Sequence, residues 1–409
     1  MLFRVYLKNS LRLRFGVFSF FRYALKKKMR GKAVYEEFGI GQTFIRQYNI
    51  QRVLSALELC QPLTRADIAR MTDMSLASVT RIIGALNSLG LVEETGVGDS
   101  VGRGRRALGL RPRADGIYTL GFHIDTKALR MCVMDFSGRA CFACETPLHP
   151  GRLEPEDLAA LARAQMQRIP QGLLADTVRL MAAGVALSGR VDAERGCVLR
   201  SEAFDWTAAE AGAAFSCALG LPVRIENDVK ACLTWEKERR NIPDTQDIAY
   251  LYIGRTGIGF ANTANGVLVR GRSNASGEIE ETRFTRSERL SDHLMERQLI
   301  RRAQAVSPSV TALDDILCAA HMGLPWARML MDDFTDNLRV LLQVIETMLD
   351  PHLIILGGDV PEAFAGVPGL LPGDRYCIGE RFEESCAYGA AIIAMREAVH
   401  RMISDMLEP

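Results

Sequence analysis

The sequence predicts an α/β protein: a winged helix-turn-helix over residues 41–113, preceded by a basic extension over 1–40 and followed by a two-lobed α/β domain over 114–409. Three observations predict it. Between Thr64 and Arg106 the chain carries start, turn and stop signals for two short helices and then a glycine-flanked hairpin. From Ile117 onward, strand-like and helix-like runs alternate over about 290 residues, enough for two lobes. The charge is also split: the chain as a whole is nearly neutral at +1, yet residues 1–113 hold 20 Lys+Arg against 8 Asp+Glu and the remainder holds 30 against 41. A basic front end suits a polyanion, and an acidic remainder would be repelled by it.

Eight of those basic residues fall within the first 28, which contain no acid. The longest uncharged run there, Phe15 to Phe21, is seven residues, too short to span a bilayer, and no small-residue cleavage site follows it. A cytoplasmic protein with no membrane partner is expected. The segment reads either as an unstructured extension ahead of a natural start at Met29 or as a basic amphipathic helix lying on a membrane or on DNA.

Thr64-Arg65-Ala66-Asp67 has a hydroxyl at an N-cap and a carboxylate three positions on, opening a short helix through Ile68, Ala69 and Met71. Thr72-Asp73-Met74 makes the turn. Ser75 then caps a second helix whose buried face is Val79, Ile82, Ile83, Leu86 and Leu89, and Gly90 stops it. Its opposite face carries Ala77, Ser78, Thr80 and Arg81. Small and hydroxyl residues let a recognition helix sit deep in a major groove, where an arginine pairs with guanine or phosphate, so Ser75, Ala77, Ser78, Thr80 and Arg81 are the expected DNA contacts. The bland alternative is a three-helix packing unit with no partner.

Leu91 to Thr95 reads as a strand, Gly96 to Gly104 as a flexible tip, and Ala107 to Leu110 as the returning strand. Arg103, Arg105 and Arg106 lie on this hairpin. Guanidinium groups on a thin ribbon suit phosphate contact or insertion into a minor groove; as isolated loop charges they would only be solvated.

Ten cysteines without an export signal indicate free, mostly buried thiols. Cys141-Phe142-Ala143-Cys144 has no second cysteine or histidine pair, so two strand residues facing one side are expected there rather than zinc. No metal or cofactor is expected.

In the large domain, strands are expected at Tyr118 to Ile124, Leu129 to Asp135, Leu180 to Leu187 and Ile248 to Ile253, with another ending on Gly357-Gly358. Helices are expected at Pro155 to Ile169, at Ala208 to Leu219, within Ser287 to Leu349, and from about Cys386 to Met406. This alternation describes two α/β lobes with a cleft between them.

Several segments taken in order carry a resemblance. They are Gly121 to Asp135 with Ser137-Gly138-Arg139, Gly184 to Asp192, Ile225 to Ala231, Thr256-Gly257-Ile258-Gly259 with Asn265-Gly266, Gly277-Glu278-Ile279, Ile355 to Gly358, and Tyr388-Gly389-Ala390-Ala391. Over about residues 40 to 400 the chain resembles the ROK family of repressors, open reading frames and sugar kinases, built on the actin-like ATPase fold. A winged helix ahead of these motifs resembles the repressor branch.

The resemblance also shows departures. Family kinases open with an Asp-x-Gly-Gly-Thr loop whose amides approach ATP phosphates; in register this chain has His123, Ile124, Asp125, Thr126 and Lys127, so an acid stands where a glycine should. Arg255 precedes the second glycine loop, and Phe260 and Ala261 follow it in place of further glycines. ATP binding and catalysis are therefore not expected. The family's histidine and cysteine-rich zinc loop is missing too: Gly277-Glu278-Ile279 continues into Glu280-Glu281, and no cysteine lies between Cys232 and Cys318.

The resemblance places Asp228 where the kinases hold their general base. Without a phosphate donor its remaining role is to accept a hydrogen bond, and Asn227, Asp228, Glu278 and Glu281 are the expected contacts to a sugar or related effector. Asn227 and Asp228 could instead simply cap the helix starting at Val229. The expected function is a homodimeric transcriptional repressor of carbohydrate-related genes on a palindromic duplex site. An active sugar kinase with a DNA-binding domain, or a ligand-independent DNA-binding dimer, are the alternatives.

Overall fold

The computed structural model describes residues 42–59, 62–95, 108–149, 151–173, 179–255, 257–280, 282–283, 286, 288–364 and 373–407. The chain forms two compact units, Met1–Thr245 with Cys386–Pro409, and Gln246–Ser385. The basic segment 1–28 lies outside the described residues.

The first unit begins with helices α1 (Gln42–Leu59), α2 (Arg65–Thr72) and α3 (Leu76–Ser88) and strands β1 (Val92–Thr95) and β2 (Gly109–Pro112). Thr64 and Asp67 satisfy each other's backbone N–H in a full capping box at the start of α2. Hydrogen bonds from Thr64 hold the Asp67 carboxyl below the usual carboxylate range. Asp73 ends α2 in the left-handed region, at φ 49. Gly90, at φ 74, turns the chain out of α3. β1 and β2 pair antiparallel from Val92↔Pro112 to Thr95↔Gly109, and Leu63 exchanges both backbone hydrogen bonds with Leu110. Ala107, where the returning strand is expected to start, lies outside the described residues.

Ile68, Val79, Ile82, Ile83 and Leu86 are buried together with Val53, Leu54 and Leu57 of α1. Met71 is 44% exposed, while Thr72 takes the inward position and donates its hydroxyl to the Ile68 carbonyl. Leu89, already past the last turn of α3, is only partly buried.

Next come β3 (Tyr118–Ile124), β4 (Ala128–Asp135), β5 (Ala140–Pro147), α4 (Pro155–Met166), β6 (Leu180–Leu187), β7 (Arg190–Asp192), β8 (Cys197–Ser201), β9 (Trp206–Ala209), α5 (Ala211–Leu219), β10 (Val223–Asn227) and α6 (Asp228–Arg239). A five-stranded sheet runs in the order β10-β6-β3-β4-β5, with β3, β4 and β5 a meander and β6 parallel to both β3 and β10. Alternate residues Leu120, Phe122 and Ile124 enter the core formed with α4 and α5, through Leu158, Ala162 and Phe215. A register shift in the β4–β5 pairing pairs Met134 with Ala140 and Val133 with Phe142, which sets Cys141 out as an extra residue. Cys141 and Cys144 consequently pack into one core, although three positions of regular strand would have pointed them to opposite faces. Burial pushes the Cys141 thiol up to about 12 and raises that of Cys144.

The second unit contains β11 (Ile248–Ile253), β12 (Ile258–Ala264), β13 (Val267–Leu268), α7 (Leu290–Leu294), α8 (Glu296–Gln304), α9 (Leu313–His321), α10 (Pro325–Leu349), β14 (Leu353–Gly357), α11 (Asp359–Ala363) and β15 (Tyr376–Ile378). Its sheet order is β13-β12-β11-β14-β15, with β11 parallel to β14 and antiparallel to β12. Ala249, Leu251 and Ile253 pack with Leu299, Ile316, Phe334 and Leu338 from the helices. The alternate residues are aromatic: the Tyr252 ring stacks on Phe382 at 4.1 Å, and the Tyr250 hydroxyl lies 1.8 Å from where a side chain on Gly357 would begin.

The last helix, α12 (Phe382–Leu407), returns to the first unit from Cys386 onward. It lies against the sheet at Gly121 and Gly184, where a Cβ would sit 2.0 Å from the Ala387 and Ala390 carbonyls. Gly389 meets α6 as closely, a Cβ there falling 1.8 Å from the Ala231 carbonyl. Thr119 donates its hydroxyl to the Ala391 carbonyl at 3.0 Å. Further along, Met395, Val399, Met402 and Ile403 join the core of the N-terminal helices, and Gln47 donates to the Ser404 hydroxyl at 3.0 Å. A fully buried side chain of this size contributes about 1.5–3 kcal/mol, so this helix is a main support of the N-terminal module. Gly121→Ala is therefore expected to cost at least about 2 kcal/mol in urea unfolding, since the obstacle is backbone that cannot turn aside.

Candidate nucleic-acid interface and ligand-binding residues

The face of α3 turned away from the core carries Leu76, Ala77, Thr80, Arg81, Gly84, Asn87 and Ser88, all exposed. Its hydroxyls are largely committed to the helix. Ser75 accepts the Ser78 N–H as the N-cap and donates its own hydroxyl to Ser78 Oγ at 2.9 Å. Thr80 donates to the Leu76 carbonyl at 2.8 Å. Among the expected DNA contacts, Ser75, Ala77, Thr80 and Arg81 are exposed and Ser78 is half-buried.

The charges nearby separate into paired and unpaired. Arg65 pairs with Glu94 at 2.6 Å, Arg70 with Asp67 at 2.7 Å, Arg111 with Glu93 at 2.5 Å and Arg113 with Asp115 at 2.9 Å. Arg81 makes no ion pair with another described residue. Its guanidinium is exposed to solvent. Arg103, Arg105 and Arg106 lie outside the described residues.

Gly84 sits inside α3, and a Cβ added there would meet nothing within 4 Å. Neither crowding nor a left-handed backbone requires glycine at this position. Glycine in a helix interior costs about 0.5–1 kcal/mol relative to alanine. The absent side chain leaves α3 flat beside Ala77, one face over which another backbone can approach. Gly84→Ala should accordingly raise stability by about 0.5–1 kcal/mol in urea unfolding, and a loss of stability would show that the fold itself needs glycine there.

Asn227 and Asp228, both buried, stand where β10 passes into α6. Asn227 Oδ1 accepts the Lys230 N–H at 3.1 Å as N-cap, while Nδ2 donates to the Gly189 carbonyl at 3.1 Å and to Asp228 Oδ1 at 3.0 Å. Asp228 Oδ1 also accepts its neighbour Val229 N–H at 2.8 Å. The capping role weighed from the sequence is thus present at Asn227, whose Oδ1 retains one lone pair for a ligand hydroxyl. The rest of α6 is unusually ionic for a buried helix: Glu236 pairs with Arg239 and Arg240, Lys237 with Asp244 at 2.5 Å, and Glu238 with Arg396 of α12. Removing one partner of such a pair would strand a buried charge.

Glu278 is exposed and belongs to the second unit, following Gly277, which has φ 97 and a Cβ position only 1.8 Å from the Phe260 carbonyl. Glu281 lies outside the described residues. Among the described residues, no cluster of three or more His, Cys, Asp or Glu side chains could hold a metal ion.

The loops at 123–127 and 254–261 each meet a carboxylate of the chain itself. Asp125 Oδ1 accepts the N–H groups of Lys127 at 2.6 Å and Ala128 at 2.8 Å, and Oδ2 is bound by Arg130 at 2.8 Å. Burial opposes ionisation of Asp125, yet the Arg130 guanidinium, His123 and the Lys127 N–H together hold its carboxyl below the usual range. In the second unit, Glu280 Oε2 accepts the Ile258 N–H at 3.4 Å and lies 3.5 Å from a Cβ position on Gly257. Sequence reasoning reaches Asp125 only as a charge repelling phosphate. The signal that it also binds its own loop is an aspartate two residues before the amide it accepts, the spacing of an Asx-turn; Glu280 gives no such local signal.

The family model for the ROK family matches residues 164–368. The chain is 26% identical over 385 residues to Transcriptional regulator Rv0485 of Mycobacterium tuberculosis, with 84% of each covered. It is 24% identical over 246 residues to the Xylose repressor of Caldicellulosiruptor bescii, 59% of each. A solved ROK family transcriptional regulator, a homologue of the E. coli MLC protein, superposes with TM-score 0.73 at 21% identity, covering 89% of this chain and 98% of that one. At that identity the likeness is one of fold.

Proposed function

Because the chain belongs to the ROK family, we propose that it is a DNA-binding transcriptional regulator, a repressor of carbohydrate-related genes whose large domain senses a small molecule and does not catalyse. Residues 41–113 act as a winged helix-turn-helix and 114–409 as an actin-like sensor and dimerisation domain. The observation that carries this reading is the outer face of α3. It offers Arg81, without an ion pair among the described residues, beside the small residues Ala77 and Gly84, on a helix whose other face is fully used by the core. Such a surface fits the major groove, where the backbone must come close and a guanidinium can bind guanine or phosphate. As a homodimer the protein would place two α3 helices on the half-sites of a palindrome.

A non-catalytic large domain is supported by Asp125 and Glu280. Each supplies an internal anion to amides that a kinase offers to ATP, and a second anion there would be repelled. The sugar relation rests on the family and on Asn227 and Asp228, acceptors at one helix start suited to ring hydroxyls. Glu278 and Glu281 are further acceptors in this reading. One observation favours a ligand-independent scaffold instead: both ends of the Asn227 amide already serve the fold.

Fluorescence anisotropy of the full-length protein on the DNA upstream of its own gene, titrated with sugars, amino sugars and sugar phosphates, tests the proposal. Release by one compound is expected; tight binding that none of them alters favours the scaffold, and no binding to any duplex removes the regulator reading. Replacing Arg103, Arg105 and Arg106 by alanine should weaken binding to every sequence and flatten its salt dependence, by about 0.9 in the log-log slope for each phosphate that is no longer neutralised. An unchanged slope would take the wing out of the interface. In the same assay, Asp228→Asn should lose the response to the releasing compound while keeping its DNA affinity, and a normal response would place the ligand elsewhere.

A further inference from the structure

Building on the DNA-binding reading, we infer that Leu76 is a specificity-determining residue that recognises thymine through its 5-methyl group. Leu76 is the first residue of α3 and is 54% exposed. A single exposed leucine is ordinary on a protein surface; this one is distinguished by its place, the N-terminal turn that a recognition helix directs at base edges. It takes no part in the core, which Val79, Ile82, Ile83 and Leu86 fill from the other side of the helix.

The polar groups around Leu76 are turned inward. Ser75 Oγ accepts the Ser78 N–H and donates to Ser78 Oγ, and the Thr80 hydroxyl donates to the carbonyl of Leu76 itself. Apart from the half-buried Ser78 hydroxyl, whose proton stays available, what this turn presents to a partner is hydrocarbon: the Leu76 side chain, the Ala77 methyl and the Thr80 methyl. In the major groove every base edge presents donors or acceptors, and the one apolar group is the thymine methyl. A leucine set against a cytosine amino group or a guanine carbonyl would desolvate it without a hydrogen bond, so the same side chain favours thymine and disfavours the alternatives. Arg81, five residues further along the same helix, supplies the polar contact that Leu76 cannot.

The test removes the methyl alone. In a duplex bound by the full-length wild-type protein, each thymine is replaced in turn by deoxyuridine and affinity is measured by anisotropy. Taking away one buried methyl group predicts about fourfold weaker binding at one thymine per half-site. Leu76→Ala should bind the thymine and deoxyuridine duplexes equally at that position, with an unchanged melting temperature. Wild-type indifference to every deoxyuridine, or a Leu76→Ala variant that keeps the full discrimination, would overturn the assignment while leaving DNA binding intact. A wild-type protein that binds no duplex would bring down the underlying reading as well.

Discussion

The first unit depends on how closely α12 approaches what lies beneath it. At Gly121, Gly184 and Gly389 the helix and its neighbours meet backbone to backbone, at separations that leave no room for even a methyl group. Such contact fixes the helix in position as well as in register, because moving it outward would open voids along its length. The consequences reach both ends of the unit. Near its middle, α12 holds α6 through Gly389 and the Arg396–Glu238 pair, and α6 begins at Asn227 and Asp228. Toward its C-terminus it becomes part of the core that supports α3. Asn227 and Asp228, two of the proposed effector contacts, and the proposed DNA-reading helix therefore belong to one packed body.

A second constraint is electrostatic. A backbone loop with several amides pointing the same way attracts an anion, and these amides must be satisfied when they are withdrawn from water. In this chain Asp125 and Glu280 supply that anion permanently. Arg130 then balances Asp125, and Glu145 completes the pair on the other side of the guanidinium at 2.9 Å.

Much of this was legible in the sequence because it is local. Strands at Tyr118–Ile124, Leu180–Leu187 and Ile248–Ile253 coincide with their apolar runs to the residue, and α2 and α3 begin at their capping hydroxyls. What escaped was set by distant partners. The pairing of Leu63 with Leu110 joins segments far apart in sequence, the extra residue at Cys141 follows from the strand across the ladder, and the Glu280 contact from a loop 22 positions away in sequence. Gly121 and Gly184 could be read as family motifs, but the reason for glycine lies on a helix more than 200 residues further along. In α3, amphipathic periodicity identified the outer face correctly, yet it could not show that the serine and threonine hydroxyls there would turn back onto the helix and leave Leu76 as the prominent group.

If α12 makes the proposed DNA-reading module and the large sheet one body, they must unfold together. The direct measurement follows two signals through one urea titration of a Trp326→Phe variant: tryptophan fluorescence, then reporting only Trp206 and Trp235 of the first unit, and anisotropy of labelled operator DNA extrapolated to saturating protein. The account predicts coincident midpoints, with DNA binding lost as the sheet melts. A module that still binds DNA after the fluorescence transition is complete would show that α12 does not couple them.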